Sequence, residues 1–276
     1  MINTPEISYL GPPGTYSEQA AEMLYGKVAR LKPHQTLPGT LTAAETGLVD
    51  AAVLPVENSS EGAVRETHHL LVGTDLQIAS EVTIPIEHAL LGAKGAVVEQ
   101  AQVVYSHPQT LGQCRQWLQM TLPEAKLVPT SSNSAAAEMI TKGQASLAIA
   151  SERAARVYDL DILEKAINDQ SDNQTRFISL GKDKPEPTGY DKTSLVCVLE
   201  DGPGALHSLL GDLAVRQISM TRIVSQPHGG KEYSFYIDFL GSTFDDEIAE
   251  ALDSMQKQTK FFKVLGSYPV TIEGSE

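Results

Sequence analysis

The order of apolar and polar positions predicts strands alternating with helices. Short apolar runs of the kind that form buried strands recur at Ile7 to Leu10, Ala51 to Val56, Gln102 to Ser106, Lys126 to Pro129 and Leu147 to Ala150. Most run into a helix start. Gly11-Pro12-Pro13-Gly14 forms a turn, and Thr15-Tyr16-Ser17-Glu18 matches the box in which a hydroxyl and a later carboxylate cap free backbone amides. Ser106-His107-Pro108-Gln109 repeats the device with glutamine, and Ser134 is expected to open a helix over the alanines that follow it. Strand, polar turn, helix is the rhythm of an α/β layer fold. The segment from Ile84 to Leu91 is expected to cross into a second lobe.

Lys182 to Lys192 holds two prolines, a glycine and six charges, and reads as the clearest linker in the chain. Beyond it the pattern predicts a strand (Thr193 to Leu199), a helix (Ala205 to Arg216), a strand (Ser219 to Ser225), a turn at His228-Gly229-Gly230, a strand (Glu232 to Leu240), a helix (Asp245 to Thr259) and a strand (Phe262 to Tyr268). That βαββαβ unit is expected to fold separately and, having an open sheet edge or face, to dimerise. The whole reads as a two-lobed α/β domain followed by a small βαββαβ domain.

Composition narrows the function. At 276 residues the chain exceeds one ordinary core, and no apolar run approaches the roughly 18 residues a membrane helix needs. The first residues lack the basic start and apolar stretch of a secretory signal, so a cytoplasmic location is expected. A formal charge of −14 argues against nucleic acid as a partner and leaves an anionic substrate to be held by local donors. Cys114 and Cys197 lack metal-binding spacing and read as buried free thiols. His68 and His69, adjacent on a helix, face different directions and read as an exposed pair rather than a metal site. No phosphate-binding loop, HExxH or GxSxG motif occurs, so neither metal nor organic cofactor is expected.

Ligands of open α/β sheets bind where strands end and helices begin, because free N–H groups there favour anions. Gly11 to Ser17, Val56 to Gly62 and Ser106 to Thr110 occupy such places, although each alone is equally a capped helix with no ligand. Glu57 reads either as a buried acid or as a carboxylate bonded to its own loop. Asp172 to Ile178 runs polar donors into an apolar strand, and Arg176 there is either a fork for a carboxylate or a surface arginine.

Together these segments resemble the prephenate dehydratase family, in register along almost the whole chain. The residues are Gly11-Pro12-Pro13-Gly14-Thr15-Tyr16-Ser17, Leu54-Pro55-Val56-Glu57-Asn58-Ser59-Ser60-Glu61-Gly62, Ser106-His107-Pro108-Gln109-Thr110-Leu111-Gly112-Gln113-Cys114 and Asn173-Gln174-Thr175-Arg176-Phe177. The resemblance implies conversion of prephenate to phenylpyruvate, carbon dioxide and water, without a cofactor. Arogenate dehydratase and a non-catalytic sensor or solute-binding protein remain as alternatives. It also implies a catalytic domain over 1–181, like type 2 periplasmic binding proteins, with one lobe at about 1–83 plus 167–181 and the other at about 84–166. A linker at 182–192 and a ferredoxin-like ACT regulatory domain at 193–272 follow. Thr175 is implied as the residue most tied to catalysis, donating to the departing oxygen. Arg176 or nearby helix N-termini would anchor a carboxylate, and Phe177 would line the ring pocket. Thr15, Ser17, Asn58, Ser59 and Ser106 would bind substrate. Gly204, Ala205, Leu206, His207, Ser225 and Pro227 would bind phenylalanine as effector, in a homodimer or homotetramer. Val224 and Gln226 stand where the family's sensor motif carries an acid and a base.

Overall fold

In the computed structural model, which describes residues 4–142, 145–229 and 232–270, the first sheet gathers strands from both ends of residues 6–181. Its elements are β1 (Glu6–Leu10), α1 (Tyr16–Tyr25), β2 (Arg30–His34), α2 (Leu37–Glu45), β3 (Ala51–Asn58), β4 (Gly62–Ala63), α3 (Arg65–Gly73) and β5 (Gln77–Pro85). The second sheet follows with β6 (Ala89–Gly92), β7 (Val103–Ser106), α4 (Pro108–Gln113), α5 (Arg115–Thr121), β8 (Lys126–Pro129), α6 (Asn133–Met139), β9 (Ser146–Ala150), α7 (Glu152–Val157) and β10 (Asp161–Glu164). The chain then returns to the first sheet as β11 (Gln174–Gly181), which lies antiparallel between β3 and β5. The strand orders are β2-β1-β3-β11-β5, with β4 on β3, and β10-β6-β9-β7-β8.

Two crossings join the lobes, and they zip together. Ile86 N donates to Asn173 O (2.8 Å) and Ile167 N to His88 O (2.9 Å), while Asn168 donates to Ile86 O (2.8 Å) and accepts from His88 N (2.6 Å). Helix α1 lies close on the first sheet because Ala20 and Ala21, both buried, face Ile7, Tyr9, Val53 and Phe177.

The helix starts differ from expectation in two places. Helix α6 is capped by Ser132, which accepts from Ala135 N (3.0 Å), so Ser134 lies buried in its first turn. Helix α4 is capped by His107, because Pro108 is pre-set for the first helical position and moves the cap one residue past Ser106. At α1 the box holds, with Thr15 accepting from Glu18 N (3.4 Å) and Glu18 accepting from Gly14 N (2.8 Å).

The third sheet comprises β12 (Asp191–Leu199), α8 (Ala205–Val215), β13 (Met220–Gly229), β14 (Glu232–Leu240), α9 (Asp246–Gln256) and β15 (Thr259–Pro269), in the antiparallel order β13-β14-β12-β15. Gly230 of the expected turn and residues 271–272 of the expected domain lie outside the described residues. Helices α8 and α9 cover one face. The other face does not stand apart as expected. Val196, Tyr236, Leu265 and Tyr268 enter one core with Leu54, Leu71, Ile78 and Leu180 of the first lobe. Lys263 Nζ caps the end of α3, donating to the carbonyls of Leu71 (3.0 Å), Val72 (3.2 Å) and Thr74.

His68 corrects a second expectation, because it is 1% exposed beneath that sheet. Its ring meets Tyr236 edge-on, with centroids 4.4 Å apart at 85°, and Nδ1 donates to Val64 O (3.0 Å). Burial, aided by the charge of Arg222, pushes its pKa down to about 4. Cys114 and Cys197 are buried free thiols, each pushed up to about 12 by burial.

Candidate functional site

The parallel strands β1 and β3 end at one edge of the first lobe, and β7 and β9 end facing them from the second. Because β11 runs antiparallel to β3, its first residues lie beside the end of β3, and the register pairs Thr175 with Asn58. Asn58 Oδ1 accepts from the amides of Ser60 (3.0 Å) and Glu61 (3.1 Å), which fixes the orientation of the amide group. Its Nδ2 therefore donates, to Asn173 Oδ1 (2.8 Å), Thr175 Oγ1 (2.9 Å) and Gln174 O (3.1 Å). Thr175 accepts one hydrogen bond and its own proton is left to give. Ser59 ties the loops together, its Oγ donating to Asp172 O (3.1 Å) and accepting from Gln174 N (2.9 Å).

Asn173 reaches the wall of a 480 Å³ cavity between the lobes, which Ser60, Glu61, Gln109, Gln113, Asn168, Asp169 and Gln170 also line. Asp169 is committed to the start of α5, accepting from Gln116 N (2.9 Å) and Trp117 N (3.1 Å). Gln113 Oε1 accepts from His88 Nε2 (2.9 Å) and Asn173 Nδ2 (3.5 Å), while its Nε2 is buried without a partner among the described residues. A smaller cavity of 230 Å³ is lined by Gly14, Thr15 and Tyr16 from one lobe and His107, Ser131 to Ser134 and Ser151 from the other. No acidic side chain lines it. His107-Pro108-Gln109, at the start of α4, contributes to both cavities.

Asn58, Ser59 and Thr175 stand together where β3 ends and β11 begins, behind Asn173 and Ser60 of the larger cavity wall, while Thr15 lines the smaller cavity. Ser17 lies buried in the first turn of α1 and is not part of either cavity wall. Ser106 is fully buried and its one hydroxyl proton has Ile149 O (2.7 Å) and Asn133 Oδ1 (2.9 Å) as acceptors in reach, so it braces β7 against β9 rather than facing a ligand. Phe177 is 2% exposed in the core under α1, which corrects its expected place in a ring pocket.

Arg176 is corrected as well. Strand alternation turns it away from Thr175, toward the third sheet, where its side chain is 12% exposed. Its Nε donates to Glu81 Oε2 (2.7 Å), Nη1 to Asp238 Oδ2 (2.6 Å) and Nη2 to Tyr268 Oη (2.8 Å). Burial alone would lower its pKa, but these partners hold it above the ordinary value. Asp238, though buried, is held below the carboxylate range chiefly by Arg176. Glu57 is neither of the two alternatives left open, since its Oε2 lies 2.5 Å from Arg222 Nε of β13. Sequence reasoning placed Gln109 and Asn173 in candidate stretches without singling them out, and missed Gln113 as a cavity residue and His88 as the buried group bonded to it. The signal was the density of amides in the segments that hold Asn173, Gln109 and Gln113.

In the C-terminal unit, Gly204 takes a φ of 82° at the start of α8. Ala205 and Leu206 line a 160 Å³ cavity with Tyr233 and Phe235, while His207 is exposed outside it. Ser225 and Pro227 lie one strand over, opposite Phe235 and Tyr233 in the register. Val224 faces the opposite way and packs against the core shared with the first lobe.

A model of the prephenate dehydratase family matches residues 7–185. The bifunctional chorismate mutase/prephenate dehydratase of Aquifex aeolicus is 38% identical over 266 residues, covering 96% of this chain and 73% of that protein. Among solved structures, the prephenate dehydratase of Arthrobacter aurescens in complex with L-Phe is similar at a TM-score of 0.88 with 34% identity, over 96% of this chain and 90% of that one. GqqA, described as a novel type of quorum quenching acylase, is similar at a TM-score of 0.86 with 30% identity, over 96% and 98% of the two chains.

Proposed function

Because the chain belongs to the prephenate dehydratase family, we propose that its cleft converts prephenate to phenylpyruvate, carbon dioxide and water, with Thr175 as donor to the departing hydroxyl. One observation carries the assignment. Asn58 occupies an acceptor site of Thr175 Oγ1 and leaves the threonine proton to be given. In the reaction the bond from the ring to its carboxylate breaks and that electron pair enters the ring. The ring C–O bond then breaks at the far side, and the hydroxyl leaves as water once it gains a proton. Formation of the aromatic ring supplies the driving force. What the protein adds is orientation, and stabilisation of charge on the departing oxygen. A threonine hydroxyl is a weak acid, so it acts as an oriented hydrogen-bond donor. The smaller cavity, rich in hydroxyls and free of acids, suits the pyruvyl carboxylate, with Thr15 in its wall although the threonine proton itself goes to Leu10 O (3.0 Å). Arg176 and Phe177 support the strand from behind.

The domain reading follows the same course. Residues 1–83 with 167–181 and residues 84–166 form the two lobes around the cleft, in the manner of type 2 periplasmic binding proteins. After the 182–192 linker, 193–272 form a ferredoxin-like ACT sensor, a reading supported by the βαββαβ order. Phenylalanine is its effector, at Gly204 to His207 of one subunit with Ser225 and Pro227 facing from another in a homodimer or homotetramer. The complex of the Arthrobacter aurescens relative with L-Phe supports that choice. The test is to incubate the full chain with prephenate, and in parallel with arogenate, and to measure phenylpyruvate and phenylalanine as products. Phenylpyruvate is expected from prephenate. Turnover of arogenate alone moves the substrate to the amino analogue, and turnover of neither sinks the assignment.

A further inference from the structure

Each of the two residues that present the reacting hydroxyl has a charged neighbour in sequence that leaves the cleft and enters the C-terminal sheet. Glu57 precedes Asn58 and pairs with Arg222 of β13, Nε to Oε2, at 2.5 Å. Arg176 follows Thr175 and donates to Asp238 of β14 at 2.6 Å. Glu57 and Arg176 are themselves directly opposite in the β3–β11 register. Arg222 and Asp238 are directly opposite in the β13–β14 register, with Nη1 and Oδ2 4.0 Å apart. Two cross-strand pairs, one on each sheet, therefore stack face to face and close a ring of four charges. Glu81 and Lys192 extend it, Lys192 Nζ lying 2.5 Å from Glu81 Oε1, so three cations meet three anions.

One member of the ring is less tightly held than the rest. Arg222 Nε, although within ion-pair distance of Glu57, is too poorly aligned for a hydrogen bond, and its Nη2 is buried without a partner among the described residues. A buried guanidinium with idle donors gains from changing partner, and Asp238 is the anion next to it. A small slide of β13 along β14 would bring Nη1 into contact with Asp238 and slacken Glu57. Ser225 and Pro227 sit on the same strand, three and five residues on, on the face opposite to Arg222.

We infer that this ring carries the state of the C-terminal domain to Asn58 and Thr175, with Arg222 as its movable member and Asp238 and Glu57 as its alternative partners. The inference rests on the dehydratase reading and names how that site is regulated. Glu57 and Arg176 differ from the other two only in being joined by one peptide bond to Asn58 and Thr175. Arg222 and Asp238 contact neither cavity, so they act as positioning residues through Glu57 and Arg176.

The experiment uses the full chain carrying Arg222→Met, Arg222→Lys, Glu57→Gln or the first and third together. Phenylalanine binding is measured by calorimetry, turnover by prephenate consumption with and without phenylalanine, and exchange at the Ser59 amide by hydrogen–deuterium exchange. That amide closes on Gln174 O at 2.8 Å and reports whether β3 and β11 stay locked at the site. In Arg222→Met, phenylalanine is expected to bind within about threefold of the parent affinity while inhibition loses about tenfold or more in sensitivity, a coupling of ordinary allosteric size. The Ser59 amide is expected to exchange about tenfold faster, as local opening becomes easier. Arg222→Lys should recover part of both effects, and the double variant should go no further than either single one. Inhibition of Arg222→Met equal to the parent's, or single effects that multiply in the double variant, overturns the inference. Should the parent turn over no prephenate or ignore phenylalanine, the functional reading fails separately. The Ser59 exchange rate then decides the ring alone, an unchanged rate overturning it.

Discussion

Replacing Thr175 by valine tests the catalytic assignment with little else disturbed. Valine keeps the β-branch that suits a strand between two others and removes only the hydroxyl. The loss leaves no orphan behind. Asn58 Nδ2 has two hydrogens and three acceptors in reach, and without Thr175 it retains Asn173 Oδ1 at 2.8 Å and Gln174 O at 3.1 Å. Stability should therefore change by less than about 1 kcal/mol, the ordinary net worth of one hydrogen bond. The catalytic effect should be far larger, because a donor aimed at a charge that exists only in the transition state is worth about 10² to 10³ in kcat, or about 3 to 4 kcal/mol. Substrate affinity should hold, since the hydroxyl that departs carries no charge in the ground state. The assay is steady-state prephenate turnover beside thermal unfolding of the same preparation. A valine variant with kcat within about threefold of the parent would refute the donor role, and so would a fall in kcat matched by a rise in KM of the same size.

Three further outcomes follow from the packing. Phe177→Ala, which empties a fully enclosed site under α1, should cost about 3 to 5 kcal/mol in urea unfolding while leaving KM unchanged in the fraction that folds. Gly266→Ala places a methyl group 2.3 Å from the carbonyl oxygen of Ile78, a backbone atom that cannot step aside. The C-terminal sheet should lift from the first lobe, seen as faster amide exchange in β5 and β15, and unchanged protection there would contradict the close approach. His68, with a folded pKa of about 4 against an ordinary 6.5, stays neutral in the fold at pH values where the unfolded chain takes up a proton. Its contribution of about 3 kcal/mol is complete above pH 6.5, is lost as pH falls from there to 4, and levels off below. His68→Phe should flatten that part of the stability profile, and an unaltered profile would mean that His68 is not the group responsible.

What the sequence disclosed and what it hid divide along a physical line. Alternating apolar runs and turn residues located β1, β3, β7, β8, β9 and the βαββαβ order, because period and turn chemistry are local properties, and passed over β2, β5 and β10. The pairing of Asn58 with Thr175 follows from a strand end meeting a strand start, and both segments were legible as such, which is local as well. Ser106 misled because its motif places it at a strand end, while its hydroxyl is taken up by Ile149 O on the neighbouring strand. His68 misled because the polar letters His-His read as surface, and only the docking of Tyr236 shows one of them to be covered. The docking of the C-terminal sheet on the first was hidden for the same reason, since a linker composition says nothing about what the face of a sheet will meet.

Arg176 shows how one segment can serve two sites. β11 lies between β3 and β5, and successive side chains of a strand leave by opposite faces. A donor at Thr175 thereby forces its neighbour to the other side of the sheet, where in this protein the C-terminal sheet is waiting. A charge placed there needs partners, and Glu81, Asp238 and Tyr268 supply them from β5, β14 and β15. The same reasoning applies to Glu57 beside Asn58, which finds Arg222. Adjacent residues with chemically different tasks are what a thin, doubly covered sheet produces, and an arginine beside a threonine proposed as the donor is no evidence by itself that both touch the substrate. On the reading proposed above, a ligand-responsive domain covering that face would act one peptide bond from Thr175.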